Sequence, residues 1–178
     1  MKRSIPFWSM STVGLIVAGF LYPLLHEAGH FCAAIFTGAD IIEFQLFPVP
    51  SVLCRYPHPH TGVLLISGAA GLLFPVLPTM LTTPQNFWAW YTWFVLKGIC
   101  IFSFFLSLCA LVAFQSGFSS LHEDIIQMVQ LAPAYMPIYF IFLSFLLVLN
   151  FLQIVASKPL QRCTLQFGYG TALQKQRQ

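Results

Sequence analysis

Two histidines and a glutamate stand together in His26-Glu27-Ala28-Gly29-His30. On an α-helix, residues four apart lie about 40° apart around the axis and about 6 Å apart along it, so both imidazoles face one point. This is the HExxH ligand spacing of a zinc hydrolase. Glu27 is rotated by about 100° from His26, close enough to take a proton from water at the metal. From Val13 to Ile35 the only carboxylate is Glu27, and that stretch has no lysine or arginine. A carboxylate and two imidazoles cost about several kcal/mol in hydrocarbon unless something pairs with them. A divalent cation held by the two imidazoles, with Glu27 beside its water, would offset that cost.

A catalytic zinc takes three protein ligands and leaves one position open for water. Asp124, Glu123, His122, His58 and His60 are the candidates for the third. Asp124 is favoured, because it lies in a polar segment that interrupts apolar sequence at a matching depth. His122 and Glu123 are the alternatives, and either could instead hold a ligand histidine in place. His58 and His60 flank Pro59 and read as an exposed polar loop, although alternate residues of an extended segment would also suit a second site. Asp40 and Glu43 lie close behind the motif and read as surface charges.

The elements that carry these residues are apolar. The chain has 178 residues, 58% hydrophobic and 7% charged, against about 25% charged in a soluble domain. The expected fold class is an all-α polytopic membrane protein. It has about four transmembrane helices and a short membrane-associated strand or hairpin after the first. The spans fall near residues 9–37, 62–81, the run ending near 114, and 135–156. Residues 1–157 form one transmembrane domain, and 158–178 a basic, polar, loosely ordered tail. The first span, behind Lys2 and Arg3, is expected to remain uncleaved. Pro23, just before the motif, could kink that span and admit water. Trp88, Trp90, Tyr91 and Trp93 read as an interfacial belt, with Lys97 reaching the same interface. A short helix is expected after Ser119 or Ser120.

Charge and topology agree on orientation. The net charge of +3 comes mostly from residues near the two ends, which reads as membrane orientation and not as nucleic-acid binding. Four spans put both basic termini on the cytoplasmic side. The motif and Asp124 then both lie toward the outer half. The five cysteines are odd in number and have no CxxC spacing, so neither a disulfide framework nor a thiolate zinc site is indicated.

Three elements in order resemble the site-2 protease family of intramembrane zinc metalloproteases, in its minimal branch without a PDZ domain. They are the HExGH form of His26 to His30, the segment Gly38-Ala39-Asp40-Ile41-Ile42-Glu43-Phe44, and Ser67-Gly68-Ala69-Ala70-Gly71. The last cluster would let the second span approach the metal helix. The resemblance implies one Zn2+ per chain held by His26, His30 and Asp124, with Glu27 as general base and acid. It implies hydrolysis of peptide bonds in a membrane-spanning protein substrate. The family's aspartate often stands in a proline-rich segment followed by glycine, whereas this chain has Leu121-His122-Glu123-Asp124-Ile125. A substrate strand could add to the edge around Ile41 to Phe47. The rival expectations are a membrane zinc hydrolase acting on a lipid or small substrate, and a non-catalytic zinc-binding membrane protein.

Overall fold

The computed structural model describes residues 7–57, 60–80, 83–118 and 124–166. It is largely helical. Helix α1 (Phe7–Ile16) runs through a π-helical turn (Val17–Leu21) into α2 (Tyr22–Thr37). The hairpin β1 (Asp40–Gln45) and β2 (Ser51–Arg55) follows, then α3 (Thr61–Leu73) and the short α4 (Leu77–Met80). Helix α5 (Phe87–Gln115), α6 (Asp124–Leu131), a 3-10 turn (Pro133–Tyr135), α7 (Met136–Ala156) and α8 (Pro159–Gln166) complete the described chain.

Three helical stretches are long and apolar enough to cross a membrane: Trp8–Thr37, Phe87–Gln115 and Pro133–Ala156. The expected second span is not one continuous helix. It divides into α3 and α4 around a turn at residues 74–76. Pro75 and Pro78 explain the division, because each removes a helical N–H and crowds the preceding turn. At about 1.5 Å per residue, the 13 residues of α3 reach only about 20 Å.

The sequence around Pro23 also takes a specific form. The Tyr22 N–H bonds to the Val17 carbonyl, one residue further back than in an α-helix. Proline cannot donate to the ladder, and the wider turn accommodates the missing bond. The helix therefore continues through Pro23 with its motif intact. It ends at Gly38, whose φ of 71° and ψ of 31° are left-handed, a conformation that favours glycine. The Ala39 N–H closes the cap on the Ala34 carbonyl at 2.9 Å.

The expected strand after the first helix is an antiparallel hairpin, with Phe44 opposite Val52 and a bulge between Ile41 and Glu43. Aromatic contacts lean it on the first helix: Phe31 on Phe44 at 5.5 Å and Phe20 on Phe47 at 5.7 Å. Asp40 and Glu43 are exposed on it.

The core lies among α3, α5, α6 and α7, where Phe104, Leu111, Ile126, Val129 and Leu143 are buried. Two expectations for α5 are corrected here. Trp90 and Trp93 are buried core residues, and Trp88 is the one of the three with substantial exposure. Lys97 does not snorkel outward. It is 0% exposed and donates to Asn150 Oδ1 at 2.8 Å and to the Thr79 carbonyl at 3.0 Å. Trp93 Nε1 donates to the same carbonyl, and its ring lies 5.0 Å from Lys97 Nζ. The Thr79 carbonyl lies in the last turn of α4, where no intrahelical donor is left to it, and the ammonium fills it. The start of the expected loose tail is helical. Arg162 on α8 donates to the Pro84 carbonyl at 2.9 Å and stacks over Trp90 at 5.4 Å.

Candidate metal centre

His26 and His30 sit one turn apart on α2, and α3 lies against that turn. Small residues allow the approach. A Cβ on Gly29 would stand 2.7 Å from the Ala70 carbonyl carbon and 2.9 Å from Phe74 Cβ. A Cβ on Gly71 would strike the His30 ring at Nε2 and Cε1 and stand 3.0 Å from His26 Cε1. The two imidazoles thus occupy space that only glycine at position 71 leaves open. This is the close approach expected from the Ser67 to Gly71 cluster.

The third group arrives on α6. Its apolar residues Ile125, Ile126, Met128 and Val129 are buried, which anchors the helix and fixes Asp124 at its first turn. A carboxylate there is also favoured by the helix dipole. Asp124 Oδ2 lies 3.3 Å from His26 Nε2 and 3.3 Å from His30 Nε2. The two Nε2 atoms are themselves 3.3 Å apart. Burial pushes the Asp124 carboxyl up, but the two facing imidazoles pull it down by more, and it is held well below the usual carboxylate range. It is therefore ionised and able to ligate.

The spacing of the triangle suits a shared metal ion better than a full set of hydrogen bonds. Three mutual hydrogen bonds would need three shared protons, and two Nε2 atoms supply two at most. The 3.3 Å sides are also longer than an ordinary N–H···O bond of about 2.9 Å. A tetrahedral zinc with bonds of about 2.0–2.1 Å requires donor atoms roughly 3.3–3.4 Å apart. The three side chains meet that spacing and could hold a metal ion.

Glu27 is adjacent but not part of the triangle. Its Oε2 accepts a hydrogen bond from the Val52 N–H at 2.9 Å, so α2 and β2 are tied at the site. A cavity of about 750 Å³ opens beside it, and His26, Glu27, His30 and Asp124 all line it. Its further walls include Val52, Leu53 and Cys54 of β2 together with Gln127 and Gln130 of α6. The strand facing this cavity is therefore β2, and β1 pairs on its far side. That moves the expected strand edge from Ile41–Phe47 to Ser51–Arg55. Burial, with the Glu27 carboxylate nearby, pushes the Cys54 thiol up, so it is a poor thiolate ligand. A second cavity of about 380 Å³ reaches His26 and Asp124 from the α5 side, with Tyr22, Ser103 and Ser107 among its walls. His26 Nδ1 is buried without a hydrogen-bond partner among the described residues.

The other sequence candidates divide. His60 is the N-cap of α3, its Nδ1 accepting from the Val63 N–H at 3.4 Å; it is not in the cluster. His58, His122 and Glu123 lie outside the described residues. Sequence reasoning missed Val52, Gln127 and Gln130. Val52 acts through its main chain, which no side-chain pattern announces. The two glutamines follow Asp124 at helical spacing, three and six residues on, and that periodicity could have found them. Comparison with protein-family models, with curated proteins and with solved structures gave no match.

Proposed function

We propose that this chain is an intramembrane zinc metallopeptidase of the site-2 protease type, hydrolysing peptide bonds of membrane-embedded protein substrates. The observation that carries the reading is the 3.3 Å triangle of His26, His30 and Asp124 beside a glutamate, with both histidines and the glutamate on a helix apolar enough to cross a membrane. In this reading α3 and α4 together make a fourth crossing, both termini are cytoplasmic, and the centre lies toward the outer half of the bilayer.

His26, His30 and Asp124 would hold the zinc. When bound, the ion supplies a Lewis acid that makes water nucleophilic near neutral pH. Glu27 takes the proton from the attacking water. The water oxygen bonds to the peptide carbonyl carbon, the C–N bond breaks, and Glu27 returns the proton to the leaving amine nitrogen. The Val52 N–H orients the Glu27 carboxylate for both transfers. An intact substrate helix hides its carbonyls in its own hydrogen bonds, so the scissile segment must unwind. With the Val52 N–H held by Glu27, the Val52 carbonyl and the β2 edge toward Cys54 offer an extended segment replacement partners. The glutamate supports a catalytic reading, because a purely structural zinc needs no base and usually has four protein ligands.

The test is cleavage of a single-span peptide by the zinc-loaded protein in liposomes. Glu27→Gln should retain zinc and lose activity by about 10²–10⁴-fold. Equal cleavage by wild type and Glu27→Gln, or lipid turnover in place of peptide cleavage, would overturn the reading.

A further inference from the structure

Helix α6 does more than deliver Asp124. Its sequence is Asp-Ile-Ile-Gln-Met-Val-Gln-Leu, and its apolar residues Ile125, Ile126, Met128 and Val129 are buried. Gln127 and Gln130 are exposed, and both line the cavity that holds the three candidate ligands and Glu27. A helix placed only to carry one ligand would need no amides on this wall. Neither amide has a hydrogen-bond partner among the described residues. Elsewhere on the cavity wall, Tyr56 and Ser67 already satisfy each other at 2.8 Å, so they do not compete for a ligand in the same way.

The remaining wall is β2. Its Val52 N–H points away from β1 and into the site, so its neighbours on that edge face the cavity as well. An extended chain lying in the cavity would have one edge toward β2 and the other toward α6. Each edge of an extended chain presents an N–H and a C=O from every second residue, about 6.6–6.8 Å apart. A primary amide carries both a donor and an acceptor, which matches that pair. Residues three apart on a helix have Cβ atoms about 5–6 Å apart, and two flexible glutamine side chains span the small difference. Facing edges with complementary groups call for main-chain recognition.

We propose that Gln127 and Gln130 form an amide rail that hydrogen-bonds the backbone of an extended, unwound substrate segment on the edge opposite β2. The inference rests on the peptidase reading above and deepens it. The rail reads main chain and is indifferent to side-chain identity. Gln127 and Gln130 are positioning residues and take no part in proton transfer.

The experiment measures binding, not turnover. A fluorescent single-span peptide with a glycine-rich, helix-breaking centre is titrated onto zinc-loaded Glu27→Gln protein in nanodiscs. Gln127→Leu and Gln130→Leu, each added to that background, should weaken binding about fivefold to tenfold, with zinc content and thermal midpoint unchanged. Gln127→Asn keeps the amide on a shorter arm and should recover part of the loss. A second peptide, N-methylated at alternate central residues, should bind the Glu27→Gln protein more weakly. It should suffer little further loss when both glutamines are replaced by leucine. Unchanged affinity in the leucine variants overturns the rail and leaves the peptidase reading standing. An N-methyl penalty that is equal with and without the glutamines also overturns the rail. No peptide binding to Glu27→Gln at any concentration overturns both.

Discussion

Gly71→Ala should remove zinc while leaving the helices packed. The added Cβ would stand 2.6 Å from His30 Cε1 and 3.0 Å from His26 Cε1, with His30 Nε2 nearer still. Carbon atoms in ordinary contact are about 3.5–4.0 Å apart, so the His30 ring must retreat by about 1 Å. Metal–ligand distances tolerate only about 0.2 Å. His30 Nε2 therefore leaves the triangle or tilts out of it. Disturbing a group that merely supports a ligand costs about 10–100-fold in metal affinity. Displacing the ligand itself should cost at least about 100-fold. Overpacking at one methyl costs about 1–3 kcal/mol, so the fold should survive with a lowered thermal midpoint. The assay is zinc affinity by chelator competition, with thermal unfolding beside it. Gly68→Ala is the control on the same helix. Its Cβ would meet Met128 at Cγ, 2.8 Å, and Sδ, 3.0 Å, and an unbranched methionine can change rotamer to clear it. That variant should bind zinc nearly as the wild type does. Wild-type zinc affinity in Gly71→Ala would refute the reasoning, because His30 Nε2 could not then be a ligand held against α3.

Four further outcomes are expected. Gly29→Ala forces α3 away from α2 at the Ala70 carbonyl, and should lower both thermal stability and zinc affinity, since the wall behind the imidazoles moves. Val52→Pro removes the N–H that holds Glu27; zinc content should stay at the wild-type level while peptide cleavage falls about tenfold to a hundredfold. Asn150→Leu strips the buried Lys97 ammonium of one acceptor and should cost about 2–3 kcal/mol in unfolding experiments. Adding Lys97→Met to Asn150→Leu should recover part of that loss, because the uncompensated charge is gone; strict additivity of the two would contradict the bond.

The sequence made some of this legible and hid the rest for physical reasons. His26, Glu27 and His30 were readable because helical spacing fixes their relation before any tertiary contact forms. The hairpin was readable from the partly alternating Ile41–Phe47 segment and the prolines after it. Asp124 was readable only as the best-placed carboxylate, since its approach depends on how α6 buries its apolar face. The division of the second apolar stretch followed from Pro75 and Pro78, which composition alone does not weigh. The burial of Trp90, Trp93 and Lys97 was not readable. An aromatic and basic cluster near a helix start has the same sequence signature whether it faces lipid headgroups or a neighbouring helix. The carbonyl that decides the matter, Thr79, comes from α4, a separate element. The part played by Val52 was hidden for a similar reason, because every residue but proline carries an N–H.

Zinc content of the purified protein, measured by elemental analysis in wild type and in Asp124→Ala, bears most directly on the metal centre. One zinc per chain in the wild type and almost none in Asp124→Ala is the predicted result. Equal zinc in the two proteins, or none in a wild type supplied with the metal, would contradict it.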